Sequence, residues 1–110
     1  MSFSIVVTDG FKKHAKSIAK KHRSLKSDLN KLIDSLEENP TQGEALGKDC
    51  YKLRMAITSK GKGKSGGSRV ITCVKIVKQT VYLLAIYDKS GKENISDKEL
   101  DELLHLAILL

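Results

Sequence analysis

Apolar residues recur along the chain with two different spacings, one typical of helices and one typical of strands. Within 25–36 they fall three or four positions apart, which predicts an amphipathic helix that Asn39 and Pro40 end. A basic helix is expected before it, beginning near Gly10 with Asp9 as its cap. The two helices would form a hairpin, and such a hairpin needs an apolar surface to cover.

Alternation of apolar and polar residues predicts that surface. The run 3–8 is rich in β-branched residues and is expected to form an opening strand. Three further strands are expected at 51–57, 69–77 and 81–87, forming an antiparallel meander. The segment 41–49 between the helices and the meander is expected to be a polar connection.

A last helix is predicted after Ser96, because Ser96 and Glu99 have the spacing of a capping box and apolar residues follow from Leu100 to Ile108. The predicted order of elements is β-α-α-β-β-β-α. This order indicates an α+β fold, in which a helical hairpin packs on a small, mainly antiparallel four-stranded sheet with a C-terminal helix. Residues 1–110 are expected to form a single domain.

The charge of the chain indicates what kind of partner it has. The sequence contains 20 Lys and Arg against 13 Asp and Glu, a formal net charge of +7. Such a domain favours polyanions, including nucleic acid and acidic proteins. The first residues lack the order of a signal peptide, and no apolar run approaches the ~20 residues of a membrane span. We therefore expect a cytoplasmic protein with no membrane among its partners.

The most basic feature is the stretch 59–71, SKGKGKSGGSRVI, which holds four glycines, three lysines and an arginine and no acid. A phosphate-binding P-loop is excluded, because position 58 is not glycine and the stretch leads into a strand instead of a helix. A solvated loop and an anion site remain as alternatives. Arg54 and Arg69, on the two flanking strands, favour the anion site, since arginine offers phosphate a bidentate fork.

Tyr87 ends the last predicted strand beside Lys89, where a phenol can stack on a base or exchange a proton. The alternative for Tyr87 is an aromatic side chain packed on the core, which is the expectation for Tyr51 and Tyr82. Asp88 is a weak candidate for proton transfer.

Histidines and cysteines are not expected to contribute to this cluster. His14, His22 and His105 are predicted on helices away from it. Cys50 and Cys73 lie in apolar, strand-like runs without the spacing of metal ligands. Buried, reduced thiols are therefore expected, in preference to a disulfide or a reactive site.

Four segments, YKLRM, SKGKGKSGGSRVI, VYLLAIYDKS and ISDKEL, resemble the RelE/HigB branch of the RelE/ParE toxins of bacterial type II toxin–antitoxin modules. The similarity spans nearly the whole chain. It implies a ribosome-dependent messenger-RNA endonuclease that inhibits translation and that a cognate antitoxin holds inactive. In this family a ribose 2′-OH attacks the adjacent phosphate, and neither a metal nor another cofactor is required. The implied partners are the antitoxin, the ribosome and the message.

The resemblance also implies roles for individual residues. Arg54 and Arg69 would clamp the scissile phosphate and stabilise the transition state, and Tyr87 would stack on or orient the nucleotide. The RNA backbone would be held by Lys60, Lys62, Lys64 and Lys89. The general base stays open between a loop lysine and Asp88. Two alternatives remain: a ParE-like poison of DNA gyrase, and a non-catalytic nucleic-acid-binding module whose affinity lies in the basic helix 12–23.

Overall fold

The fold is organised by a mixed sheet, which has five strands within the part of the chain that the structure describes, residues 2–92, 94–107 and 109 of a computed structural model. The strands are β1 (Ser4–Val7), β2 (Glu44–Gly47), β3 (Cys50–Met55), β4 (Ser68–Lys75) and β5 (Thr80–Asp88). Their spatial order is β1-β5-β4-β3-β2. β1 runs parallel to β5, and the other neighbours are antiparallel. The predicted α+β class is confirmed, and the predicted number of strands is one too few.

The additional strand is β2, which lies in the segment expected to be a polar connection. It joins β3 through a turn at Lys48 and Asp49, whose φ angles are both positive at 55° and 65°. Two central residues with positive φ define a type I′ hairpin turn, and this turn normally contains Asn-Gly or Asp-Gly. Lys48-Asp49 is therefore not recognisable as a hairpin turn from the sequence. Without a recognisable turn, β2 could not be predicted.

The helices are α1 (Asp9–Ala19), α2 (Leu25–Glu38) and α3 (Asp97–Leu106), and a 3₁₀ turn spans Thr58–Lys60. None of the helices in the described residues combines the length and the apolar character needed to cross a membrane. The end of α2 before Asn39 agrees with the prediction, and the capping box of Ser96 and Glu99 is present at the start of α3.

Two boundaries, the cap of α1 and the end of β4, differ from the predictions. Thr8 caps α1 in place of Asp9, because its hydroxyl accepts the backbone N–H of Phe11 at 3.3 Å. β4 ends at Lys75, and Val77 is 99% exposed in the turn that follows. Ile108, expected in the last helix, lies outside the described residues.

The helices cover the two faces of the sheet unequally. α1 and α2 pack on one face, called here the hairpin face, and α3 packs on part of the other, called here the α3 face. Tyr51 packs against the hairpin face and Tyr82 against the α3 face, as expected of core residues. The buried apolar sheet residues of the hairpin face are Leu53, Met55, Val70, Val74, Val81, Leu83 and Ile86.

One irregularity of β5 decides where its last residues point. The register shifts between Ile71 and Thr72 of β4, so that Leu84 is skipped in the pairing and forms a bulge. Regular alternation would place Tyr87 on the hairpin face together with Leu83. Because the bulge reverses the alternation, Tyr87 packs with the residues of the α3 face.

Candidate functional site

Three of the predicted site residues lie in one row across the α3 face of the sheet. Arg54 of β3 is directly opposite Arg69 of β4, and Arg69 is directly opposite Tyr87 of β5. Opposite residues of antiparallel strands project from the same face, with Cβ atoms ~4.5–5.5 Å apart. The sheet register therefore brings two guanidinium groups and a phenol together.

The two arginines of this row have different environments. Arg54 is exposed, whereas Arg69 is only 1% exposed. The Arg69 Nη1 atom donates to the carbonyl oxygens of Lys64 at 3.2 Å and Ser68 at 3.1 Å, and Nη2 donates to the carbonyl oxygen of Ser65 at 3.2 Å. Arg69 thus holds the glycine-rich loop, defined here as residues 58–67, against the start of β4.

The start of the glycine-rich loop is fixed to α2 by the buried carboxylate of Asp28. Its oxygens accept the backbone N–H of Thr58 at 2.9 Å and the hydroxyl of Ser24 at 2.9 Å. Burial alone would raise the pKa of Asp28, but the hydrogen bonds from Thr58 and Ser24 lower it below its ordinary value. Asp28 is therefore an ionised anchor for the start of the loop.

The end of the loop is fixed by a close approach at Gly67. A Cβ atom at this position would lie 2.3 Å from the carbonyl oxygen of Met55, so only glycine fits there. The Gly67 carbonyl also accepts the backbone N–H of Lys89 at 3.1 Å. Both ends of the loop are thereby attached to the sheet and to α2, and the segment 61–65 projects between them.

Tyr87 is half-buried, and its ring is flanked by the cationic side chain of Lys92 and by the ring of His14. The Nζ atom of Lys92 lies 4.9 Å from the ring centroid, and the His14 ring centroid lies 5.9 Å away at an interplanar angle of 40°. Lys92 also forms an ion pair with Glu99 of α3. Burial raises the pKa of Tyr87, so the phenol stays protonated at neutral pH and acts as a hydrogen-bond donor.

The expectation that the histidines lie away from the cluster is wrong for His14 and His22. His14 contacts Tyr87, and its buried Nδ1 atom has no hydrogen-bond partner within the described residues. His22 Nε2 lies 3.2 Å from the carboxylate of Asp88. α1 runs beside β5 beyond the end of β1, and this tertiary packing leaves no signal in the local sequence.

Asp88 joins the loop to the corner between α1 and α2. Its Oδ1 atom accepts from Lys60 Nζ at 2.9 Å and from the Ser90 hydroxyl at 2.8 Å, while Oδ2 faces His22. Burial alone would raise the pKa of Asp88, but the hydrogen bonds from Lys60 and Ser90 lower it far below its ordinary value. A carboxylate held in this way fixes the position of Lys60 and Ser90 and is a very weak base.

The lysines proposed to hold RNA fall into two groups. Lys60 is committed to its ion pair with Asp88, and its side chain is only 11% exposed. Lys62 and Lys64 are exposed on the loop, and Lys89 is half-buried just after β5. Lys64 and Arg54 line the same groove beside the β2–β3 hairpin. Lys62 and Lys64 are therefore the loop lysines best placed to meet an anion from solvent.

Lys52 also belongs to this region and was missed in the sequence analysis. It lies on the α3 face two residues before Arg54, and its Nζ atom is 3.1 Å from Asn94 Oδ1 and 3.4 Å from Glu44. The alternation of β3, which places residues 52 and 54 on one face, was the signal that could have found it. Within the described residues no group of His, Cys, Asp and Glu side chains is arranged to hold a metal ion.

The fold and the row of Arg54, Arg69 and Tyr87 define a small, basic α+β domain with two arginines side by side at one end of its sheet. Residues 8–110 match the family model described as “RelE toxin of RelE / RelB toxin-antitoxin system”. The chain therefore belongs to the RelE toxin family, as its resemblance indicated. Membership of this family implies a RelB-type antitoxin as its partner.

Two solved structures of the E. coli RelE toxin share the fold. One is a double arginine-to-alanine mutant in the free state, with a TM-score of 0.61, 17% sequence identity, and coverage of 98% of this chain and 96% of that chain. The other is the isolated toxin, also with a TM-score of 0.61 and 17% identity, covering 96% of this chain and 99% of that chain. At this identity the likeness concerns the fold alone.

Proposed function

We propose that this toxin is a metal-independent endoribonuclease that cuts messenger RNA on the ribosome. The observation that carries the proposal is the row of Arg54, Arg69 and Tyr87 across the α3 face. Attack of a ribose 2′-OH on the adjacent phosphate adds negative charge to that phosphate in the transition state. Preorganised cations stabilise this charge, and removal of one such group costs ~10²- to 10³-fold in rate.

In this proposal the two arginines reach the phosphate in different ways. Arg54 is exposed and meets the phosphate directly. Arg69 exchanges the loop carbonyls of Lys64 and Ser65 for the phosphate when RNA displaces the middle of the loop. This exchange is favourable because the guanidinium then pairs with an anion in a bidentate geometry, in place of neutral carbonyl oxygens.

Tyr87 is proposed to position the nucleotide, and His14 is proposed to take part in proton transfer. The protonated phenol of Tyr87 orients the base or donates a hydrogen bond to the phosphate. The His14 imidazole beside it is the group proposed to accept the 2′-OH proton, whereas Asp88 is too weak a base because its pKa is lowered. Lys62, Lys64 and Lys89 hold the RNA backbone, with Lys60 contributing through the position of the loop.

The proposed partners follow from charge and from the family. The excess of +7 favours association with RNA, with ribosomes and with an acidic antitoxin segment. Action on translating ribosomes would place the protein in the cytoplasm.

The test uses a reconstituted translation extract followed by primer extension on the message. Arg54→Ala is the first variant, because an exposed side chain can be removed without disturbing the core. We expect cleavage in the ribosomal A site to fall by ~10²- to 10³-fold for this variant. Arg23→Ala, which removes an exposed arginine between α1 and α2, is the matched control and should cleave normally.

Two other results would contradict the proposal. An intact message together with accumulating gyrase–DNA cleavage complexes would indicate a ParE-like poison. Salt-sensitive RNA binding without cleavage, weakened by Arg23→Ala and unaffected by Arg54→Ala, would indicate a binding module based on the basic helix.

A further inference from the structure

The two cysteines face each other across the β3–β4 hairpin. Cys50 and Cys73 are directly opposite in the ladder, and both are buried on the α3 face as free thiols. The backbone N–H of Val74 donates to the carbonyl of Asp49 at 2.8 Å, so positions 49 and 74 form a hydrogen-bonded pair. Pairs alternate along an antiparallel ladder, and Cys50 and Cys73 therefore occupy a non-hydrogen-bonded position.

This position suits a covalent cross-link. Opposite residues of a non-hydrogen-bonded pair have Cα atoms ~4.5 Å apart, which lies within the ~4.4–6.8 Å that disulfides span. The bond would require no change of strand register. Adjacent pairs of the ladder offer no such chemistry, because Tyr51 faces Thr72 and Lys52 faces Ile71.

The two thiols are also chemically unequal. The hydrogen bond between them lowers the pKa of Cys73, although burial opposes this, and the nearby charge of Lys75 lowers it further. The contact with Cys73 and burial raise the pKa of Cys50, and its Sγ atom donates to the carbonyl of Lys48 at 3.4 Å, so Cys50 keeps its proton. A thiol that ionises more readily, next to one that stays protonated, is the arrangement of an attacking thiol and a resolving thiol.

Access to the pair depends on α3. Leu100 and Leu104 of α3 belong to the same buried cluster as the two cysteines. α3 has only 10 residues, and Asp101 attaches it to Lys48, two residues before Cys50. A short helix opens locally more easily than a core does. A small oxidant can therefore reach the pair without global unfolding.

We propose that Cys50 and Cys73 form a redox modification site, at which hydrogen peroxide produces a reversible disulfide across β3 and β4. The Cys73 thiolate attacks one peroxide oxygen, the O–O bond breaks, and hydroxide leaves and takes up a proton to become water. The resulting sulfenic acid is attacked at sulfur by the Cys50 thiol, which loses its proton as a second water leaves. The two thiols lose two electrons, and the peroxide gains them.

The disulfide would enclose the hairpin that presents the arginine row. The residues between Cys50 and Cys73 include Arg54, the glycine-rich loop and Arg69. Closure of this segment restricts the unfolded chain, and it holds β3 and β4 together from the end of the ladder opposite the loop. Oxidation is thus expected to stabilise the folded toxin, whether or not the proposed nuclease activity is correct.

The experiment exposes the reduced full-length chain to hydrogen peroxide and then blocks the remaining thiols. Mass spectrometry should show a loss of about 2 Da and no blocked thiol, and dithiothreitol should restore the original mass. The oxidised chain should melt roughly 10 °C higher than the reduced chain. Cys50→Ser should instead accumulate a sulfenic acid on Cys73 that dimedone traps, because the resolving thiol is absent.

A second variant tests whether α3 limits the access of peroxide to the two thiols. Asp101→Asn removes the ion pair with Lys48, so it should speed disulfide formation severalfold if α3 opens to admit peroxide. The proposal is overturned if both thiols remain free after peroxide treatment of the wild type and of Asp101→Asn. It is also overturned if the product is a disulfide between two chains.

Discussion

The two faces of the sheet differ in how they are covered and in what their residues do. The hairpin face is mainly apolar, with the buried polar residues Ser68 and Thr72 among its side chains, and with α1 and α2 it forms the larger core cluster. The α3 face is apolar only near Cys50 and Cys73, under the short helix α3. Further along the same strands it carries Arg54, Arg69 and Tyr87.

This difference shows how one small sheet serves stability and function at once. Because the hairpin face carries the larger apolar core cluster, the opposite face can keep exposed charged side chains such as Arg54. The glycine-rich loop in turn depends on three polar anchors, Asp28 of α2, Arg69 of β4 and Asp88 of β5, to keep its position. Variants that weaken one face and not the other test this division.

The largest effect on stability is expected in the core of the hairpin face. Leu36→Ala should lower the free energy of unfolding by about 2–5 kcal/mol, because Leu36 is fully buried between α2 and the sheet. Leu104→Ala on α3 should cost less, since a helix of 10 residues over the smaller cluster can detach locally and limit the loss. Urea titration of both variants measures the difference, and equal costs would contradict the division between the faces.

The glycine-rich loop should tolerate no side chain at its end. Gly67→Ala brings a Cβ within 2.3 Å of the Met55 carbonyl and should cost about 1–3 kcal/mol of stability. Its control is Gly10→Ala, because a Cβ there lies 3.8 Å from the Leu84 carbonyl, an ordinary contact. If thermal melting shows the same stability for both variants, a Cβ at the end of the loop does not lie as close to the Met55 carbonyl as 2.3 Å.

Asp88 is expected to support the loop in a pH-dependent way. Asp88→Asn should cost about 1–3 kcal/mol at neutral pH, because the hydrogen bonds from Lys60 and Ser90 favour the charged form. The folded-state pKa of Asp88 lies below its unfolded value. Its contribution is therefore complete above about pH 5 and is lost as the pH falls through the unfolded and then the folded pKa.

The measurement is urea unfolding of the wild type and Asp88→Asn between neutral and strongly acidic pH. Asp101→Asn, which removes an exposed carboxylate from its pair with Lys48, provides the control and should change stability less. If the two proteins differ in free energy of unfolding by the same amount across this pH range, the charge of Asp88 does not contribute to stability.

The smallest effect on stability is expected at the exposed lysines of the loop. Lys62→Ala and Lys64→Ala should leave the free energy of unfolding unchanged, since neither side chain is buried. Each should reduce the slope of log affinity against log salt for single-stranded RNA by about 0.7 if it contacts a phosphate. Fluorescence anisotropy at several salt concentrations gives the slopes, and unchanged slopes would remove the loop from the RNA interface.

Much of the fold could be predicted because the local patterns are strong. The helical spacing of α2, the capping box of α3 and the alternation of β3 each specify their element without tertiary information. The alternation of β3 and β4 also predicts that Arg54 points away from the face of Leu53 and that Arg69 shares the face of Cys73, and the structure agrees. β2 was missed because its hairpin turn uses Lys48 and Asp49 in a conformation typical of glycine and asparagine.

The rest of the candidate site depends on contacts that no local pattern encodes. Tyr87 reaches the arginine row only because the bulge at Leu84 reverses the alternation of β5. His14 and His22 reach Tyr87 and Asp88 through the packing of α1 beside β5. Lys60 was expected to face RNA, and its pairing with Asp88 became visible only when the loop and the end of β5 were seen together.

The parallel pairing of β1 with β5 has a consequence for the order in which the protein is made. Thr8, at the junction of β1 and α1, donates its hydroxyl to the carbonyl of Leu83, 75 positions later. During synthesis the first strand and the helical hairpin emerge long before the strand that completes their surface. We therefore expect the nascent toxin to stay unfolded until most of its chain has been translated, which leaves an interval in which an antitoxin already present can meet it.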